Sequence, residues 1–130
     1  MNRYDSVDLR TTNDIYSSHA LSLSISCARN TGVLKNPIDI VHLRNFEIPM
    51  CGGIQFCKYF PELAEQFDED KEIIFYRSTD EMIEKARYYL KQSNQSILCQ
   101  IGDNARRRAE NDHTWFRRFS MAFDFLGIEY

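Results

Sequence analysis

The stretch Leu43-Arg44-Asn45-Phe46-Glu47-Ile48-Pro49-Met50-Cys51-Gly52-Gly53, running directly into Ile54-Gln55-Phe56-Cys57, decides how this chain is built. From Ile40 to Cys51 the apolar set Val41, Leu43, Phe46 and Met50 fits a helix, interrupted near Pro49. The glycine pair Gly52-Gly53 closes that helix, and residues 54–57 read as a short apolar strand. A helix stopped by glycines and followed at once by a strand is the repeating joint of a layered α/β fold.

The same alternation continues on both sides. Upstream, Ala20 to Ser26 (ALSLSIS) alternates apolar and small polar residues, which predicts a strand with Leu21, Leu23 and Ile25 on its better-buried face. Gly32, Asn36 and Pro37 mark the loop between. Downstream, Pro61 to Phe67 predicts a helical turn or two, and Glu72 to Tyr76 (EIIFY) a buried strand. A helix follows from Thr79 to Leu90, capped by Ser78 or Thr79, with Asp80 and Glu81 favouring its positive end. Two more are predicted, from about Ser96 to Asn111 and from about His113 to Leu126. The last carries Trp115, Phe119, Ala122, Phe123 and Leu126 in one stripe. Strands separated by helices pair in parallel, so the fold class is α/β, a partial Rossmann-like domain of about three parallel strands flanked by helices. A doubly wound sheet has two such halves, and this pattern supplies one.

At 130 residues, with 43% hydrophobic and 27% charged side chains, the chain is read as a single domain, residues 1–130. Sixteen basic against nineteen acidic residues give a net charge of -3, which argues against nucleic acid as the partner. No apolar run is long enough to span a membrane, and Met1-Asn2-Arg3-Tyr4 opens no apolar signal core. Cys27, Cys51, Cys57 and Cys99 lack CxxC spacing, so reduced thiols and a cytoplasmic location are expected.

Among the polar residues, Glu47 stands out. A carboxylate can accept two hydrogen bonds from a vicinal diol, and Gly52 and Gly53 would let backbone approach a bulky ligand. The plain alternative is an exposed helix glutamate paired with Arg44 at i-3. Arg44 could meet a diphosphate or orient that carboxylate. Asp39 reads as the N-cap of a helix beginning near Ile40, whose free N–H groups would suit an anion. Asp68-Glu69-Asp70 precedes its strand and reads as a solvated turn, and no bound metal is expected. His113 is explained by capping and packing, and His19 and His42 as structural. Arg106, Arg107, Arg108, Arg117 and Arg118, interspersed with Asp103, Glu110 and Asp112, read as a solvated helix face.

RNFEIPMCGG at 44–53, then PELAEQF, KEIIFY, a capped helix ending in ARYYL, and ENDHTWFRRF at 110–119, resembles the C-terminal half of CgeB-like (spore maturation protein) glycosyltransferases, relatives of the GT-B class. The similarity runs from about Ile15 to Phe119. It implies the donor-binding half of an enzyme that transfers a sugar from a nucleotide-sugar to an acceptor, without a metal or a cofactor other than that donor. By resemblance Glu47 takes the ribose hydroxyls, and the binding set comprises Glu47, Arg44, Gly52, Gly53 and Asp39. Asp39 has seven residues between it and Glu47, as the first of two paired acids does in related retaining enzymes. The family's N-terminal domain supplies the acceptor site and usually the catalytic base, so the chain is expected to be a fragment or a shortened descendant, with little activity alone. The alternative is a non-catalytic α/β binding or interaction module. A sheet beginning at Ala20 to Ser26 leaves an open edge, which predicts self-association or cover by the segment Met1 to Asp14.

Overall fold

The computed structural model describes residues 8–129. Each of its strands is followed by helix before the next, so the chain returns to the same end of the sheet every time and the strands run parallel. They are β1 (Ser22–Ser24), β2 (Gln55–Lys58) and β3 (Ile74–Tyr76), hydrogen-bonded in the order β1-β2-β3. Ser24 lies opposite Cys57, and Cys57 opposite Phe75. The helices are α1 (Leu9–Ser18), α2 (Arg44–Met50), α3 (Pro61–Ala64), α4 (Thr79–Tyr89), α5 (Gln95–Asp112) and α6 (Trp115–Leu126), with a 3-10 turn at Gln92–Asn94. This is the expected α/β class, three parallel strands flanked by helices.

Alternation along the strands divides the core in two. One face sends Cys57 and Phe75 against Phe46 of α2, Leu63 of α3, and Phe67. The other sends Ile54, Phe56 and Ile74 against Tyr89 of α4 and Leu98 and Ile101 of α5. The cap of α4 is Ser78, whose hydroxyl accepts from the Glu81 N–H at 3.1 Å while the Glu81 carboxylate accepts from the Arg77 N–H at 2.7 Å.

β1 corrects the expectation made from its pattern. Its serines point inward, with Ser24 at 1% and Ser26 at 3% exposure, while Leu23 and Ile25 stand 57% and 67% exposed. β1 is an edge strand, and the core built on α4 and α5 extends along that face only as far as Leu21. The serine face is the one turned to α2. Beyond Ser24 the chain leaves the sheet in a loop closed by an antiparallel bridge between Cys27 and Asp39. There the Ala28 N–H donates to Ile38 O at 2.7 Å and the Ile40 N–H to Ser26 O at 2.8 Å. That last bond holds Ile40 extended, so the helix expected from Ile40 begins only at Arg44, and Asp39 is not its N-cap.

α2 ends in a Schellman motif. The Gly53 N–H donates to Ile48 O at 2.9 Å and the Gly52 N–H to Pro49 O at 2.8 Å, with Gly52 in the left-handed region at φ 75°. Two other elements close on this turn. A Cβ on Gly53 would sit 2.8 Å from the Tyr16 carbonyl oxygen of α1, and one on Gly102 of α5 would sit 3.3 Å from Gly52 O.

α6 forms as expected but not where its stripe suggested. Thr114 caps it, accepting from the Arg117 N–H at 3.3 Å, and Gly127 ends it at φ 66°. Trp115, Phe119 and Phe123 stack in sequence, with ring centroids 5.6 and 6.1 Å apart. No residue of α6 is buried, so the stripe enters neither half of the core. α1 likewise buries none of its residues, and Met1–Val7 of the segment expected to cover the sheet edge lie outside the described residues. Among the described residues no helix is long and apolar enough to cross a membrane.

The glycine pair yields a paired expectation. Gly53→Ala forces its Cβ into two carbonyl oxygens and should cost about 1 to 3 kcal/mol, as overpacking does. Gly52→Ala meets open space and pays only the left-handed backbone penalty, about 1 to 2 kcal/mol. Urea denaturation of both variants should rank Gly53→Ala as the less stable.

Candidate functional site

Glu47 stands half-buried on α2, on the wall of a cavity of about 610 Å³. Val41, His42, Leu43, Phe46 and Met50 share its side, and His113, Thr114, Trp115 and Arg118 from the α5–α6 corner form the other. The wall is largely apolar, with one carboxylate, one guanidinium and two imidazoles set into it.

Local bonds hold the α2 side. The Asn45 Oδ1 accepts the His42 N–H at 2.6 Å, fixing the chain as it enters the helix, and the Cys51 N–H donates to Glu47 O at 3.0 Å near its end. Phe46 joins this wall to the core. Its ring lies 6.0 Å from Phe67 and 4.9 Å from His113, and the Arg118 guanidinium sits over it at 4.3 Å.

His113 is the C-cap residue of α5 and lies between the Phe46 and Phe67 rings, so the packing expected of it is what the structure shows. Its Nε2 is 3.1 Å from Gln66 O, so that nitrogen carries the proton and donates. Burial, aided by the nearby Arg118 and Arg108 charges, holds its pKa below the ordinary histidine value despite that hydrogen bond, so the ring favours the neutral form. His42 also reaches the cavity wall, and its buried Nε2 has no hydrogen-bond partner.

The remaining predicted residues are spread along the path to α2 rather than gathered on the cavity wall. Arg44 is exposed one turn before Glu47, outside the lining, and no ion pair joins the two. Asp39 pairs with Lys58 at 3.1 Å, at the end of β2. Gly52 and Gly53 occupy the opposite end of α2 from its entry. His19 closes α1, its Nδ1 2.6 Å from Ile15 O.

The acidic turn differs from the solvated one expected. Glu69 receives both Arg77 guanidinium nitrogens at 2.7 Å, and that bidentate pair holds its carboxyl below the usual range. Asp70, left-handed at φ 59°, accepts from the Tyr89 hydroxyl at 3.1 Å, and Lys85 lies 3.6 Å away. Asp68 and Asp70 keep the solvated character, their side chains 66% and 50% exposed, and only Glu69 is drawn in. Burial pushes the Cys57 thiol up to about 12, and burial together with Glu47 raises that of Cys51, so neither is a ready nucleophile.

Sequence reasoning treated five arginines as one solvated face. For three the structure agrees: Arg106, which pairs with Glu110 at 2.8 Å, Arg107, which donates to Asn104 at 2.6 Å, and Arg117 are exposed, whereas Arg108 is half-buried, pairing with Asp112 at 3.0 Å and donating to Gln66 O at 3.2 Å. Arg118 departs from it, turned over Phe46 into the cavity. The available signal was its spacing: Arg118 follows Trp115 by three residues, so the two share a helix face.

Against known proteins, the chain matches the family described as "Glycosyl transferase-like" over residues 2–124. No curated protein and no solved structure matches it.

Because His113 is held neutral, the unfolded chain binds its proton at higher pH than the folded one. Stability attributable to this residue is therefore fully present above about pH 6.5 and falls as pH drops through the folded value. The urea midpoint should decline on acidification from about pH 7 to 5. An NMR titration of the His113 ring in the folded protein should give a pKa below that of a histidine peptide.

Proposed function

We propose a function from one premise: the chain belongs to the glycosyl transferase-like family. It is the donor-binding half of a GT-B, CgeB-like glycosyltransferase, working in the cytoplasm on a nucleotide-sugar, and the acceptor site and catalytic base belong to a further domain. The observation that carries this reading is the position of Glu47 on the wall of a largely apolar cavity of about 610 Å³, a volume in the range of small-molecule sites. There its carboxylate accepts from the two ribose hydroxyls, in charge-assisted bonds that a diol satisfies in pairs. Arg44, one turn ahead, serves the outer part of the donor. Gly52 and Gly53 act by fixing the end of α2, and Asp39 by anchoring the preceding loop to Lys58.

A second reading, an interaction module derived from such a domain, is favoured by the apolar side chains the fold leaves uncovered. Leu23 and Ile25 are exposed on an edge strand, and Phe116 and Phe125 are 72% and 90% exposed on α6. This module would self-associate without binding nucleotides.

Glu47→Gln separates the two. Loss of one or two charge-assisted bonds, about 1.5 to 3 kcal/mol, should weaken calorimetric binding of UDP- and other nucleotide-sugars by about ten- to a hundredfold, with unchanged melting temperature. Equal affinity in parent and variant would overturn the ribose assignment. Concentration-dependent mass in light scattering, with no nucleotide-sugar bound by the parent, would favour the second reading. Asp68→Asn combined with Asp70→Asn, and addition of EDTA, should leave binding unchanged.

A further inference from the structure

We infer that α6 supplies the phosphate-contacting cation of this cavity: Arg118 contacts the diphosphate of a nucleoside diphosphate whose base lies against Trp115. This rests on the nucleotide-sugar reading and adds to it the residues that hold the other end of the donor.

A cavity walled by apolar side chains and the Glu47 carboxylate repels a diphosphate unless a cation faces it, and Arg118 is the arginine in the lining. Its guanidinium lies over the Phe46 ring at 4.3 Å, which occupies its face and leaves the N–H edge for an anion. No carboxylate pairs with it among the described residues, in contrast to Arg106 and Arg108 of the same cluster. His113, an imidazole of the same lining, has its Nε2 proton committed to Gln66 O.

Trp115 stands one turn before Arg118 on the same helical face. Its indole is stacked on Phe119 at 5.6 Å and 25°, yet the residue remains 63% exposed at the cavity. A planar base fits that exposed surface, since stacking on an indole needs only a π face and excludes water from both rings. Ribose at Glu47, phosphates at Arg118 and base at Trp115 then engage three separate chemistries of one nucleotide.

Trp115 is the chain's single tryptophan, so its fluorescence reports occupancy of this cavity alone. The full chain is titrated with UDP, ADP and GDP, and with uridine as the phosphate-free control. At least one diphosphate should quench Trp115 emission. Arg118→Gln should weaken that diphosphate by about ten- to a hundredfold while shifting uridine less than about twofold, and Arg118→Lys should restore part of the loss. Calorimetry of Glu47→Gln is run beside it. Diphosphate binding that depends on Glu47 but is indifferent to Arg118→Gln and leaves Trp115 emission unchanged overturns this inference and keeps the ribose reading. Diphosphate binding that quenches Trp115 and depends on Arg118 but not on Glu47 does the reverse. No diphosphate binding by the parent overturns both. Melting curves of each variant show whether loss of the Phe46 contact has unfolded the chain, and Arg118→Lys, which keeps the charge, decides the case if Arg118→Gln melts early.

Discussion

The turn at Gly52–Gly53 is where the chain has least freedom. Two reversed hydrogen bonds end α2 there, and a left-handed residue is required between the helix and β2. The Tyr16 carbonyl of α1 comes so close to Gly53 that a methyl group would not fit, and Gly102 brings α5 against Gly52 O. Four elements therefore share one point. Because α2 is only seven residues long, fixing its end also fixes the direction in which Glu47, two turns or less away, faces the cavity.

Phe46 carries that constraint across to the site. It is packed in the core with Cys57, Leu63 and Phe75, and it is also the surface on which Arg118 and His113 rest. A change of one methylene in such a core is felt by its neighbours, since interiors are close-packed. Here those neighbours include both walls of the cavity. The site is thus held by the same residue that closes one face of the sheet, while its rim on α6, which buries no residue, reaches the core where Arg118 sits on Phe46.

Much of this was legible from residues alone, and the misses share a cause. Residues 54–57 and 72–76 are apolar enough to read as buried strands, and β2 and β3 form there; Ser78 or Thr79 with Asp80 and Glu81 marked the start of α4, where the structure selects Ser78 as the cap. Period-two alternation in ALSLSIS announced β1 as well. Which face turned inward did not follow from hydrophobicity, because at a sheet edge the covering helix decides it, and α2 covers the serines. The start of α2 was misplaced for a similar reason: a long-range bond from Ile40 to Ser26 overrides the local helical pattern. Glu47 was singled out by the family resemblance of the segment around it, and it lies on the cavity wall. Arg118 was not, since an arginine among arginines reads as solvated until the fold shows which one leans on an aromatic ring.

The weak burial of α6 bears on how the cavity behaves. A twelve-residue helix in water is marginal by itself, and this one relies on the Thr114 cap, the Trp115–Phe119–Phe123 stack, Gly127, and the seat of Arg118 on Phe46. Only the last of these ties it to the core side of the cavity. A ligand that spans from Glu47 to Arg118 adds a second tie between α2 and α6, and by mass action stabilises the seated helix over a frayed one. Occupancy of the cavity and order in α6 are then a single equilibrium.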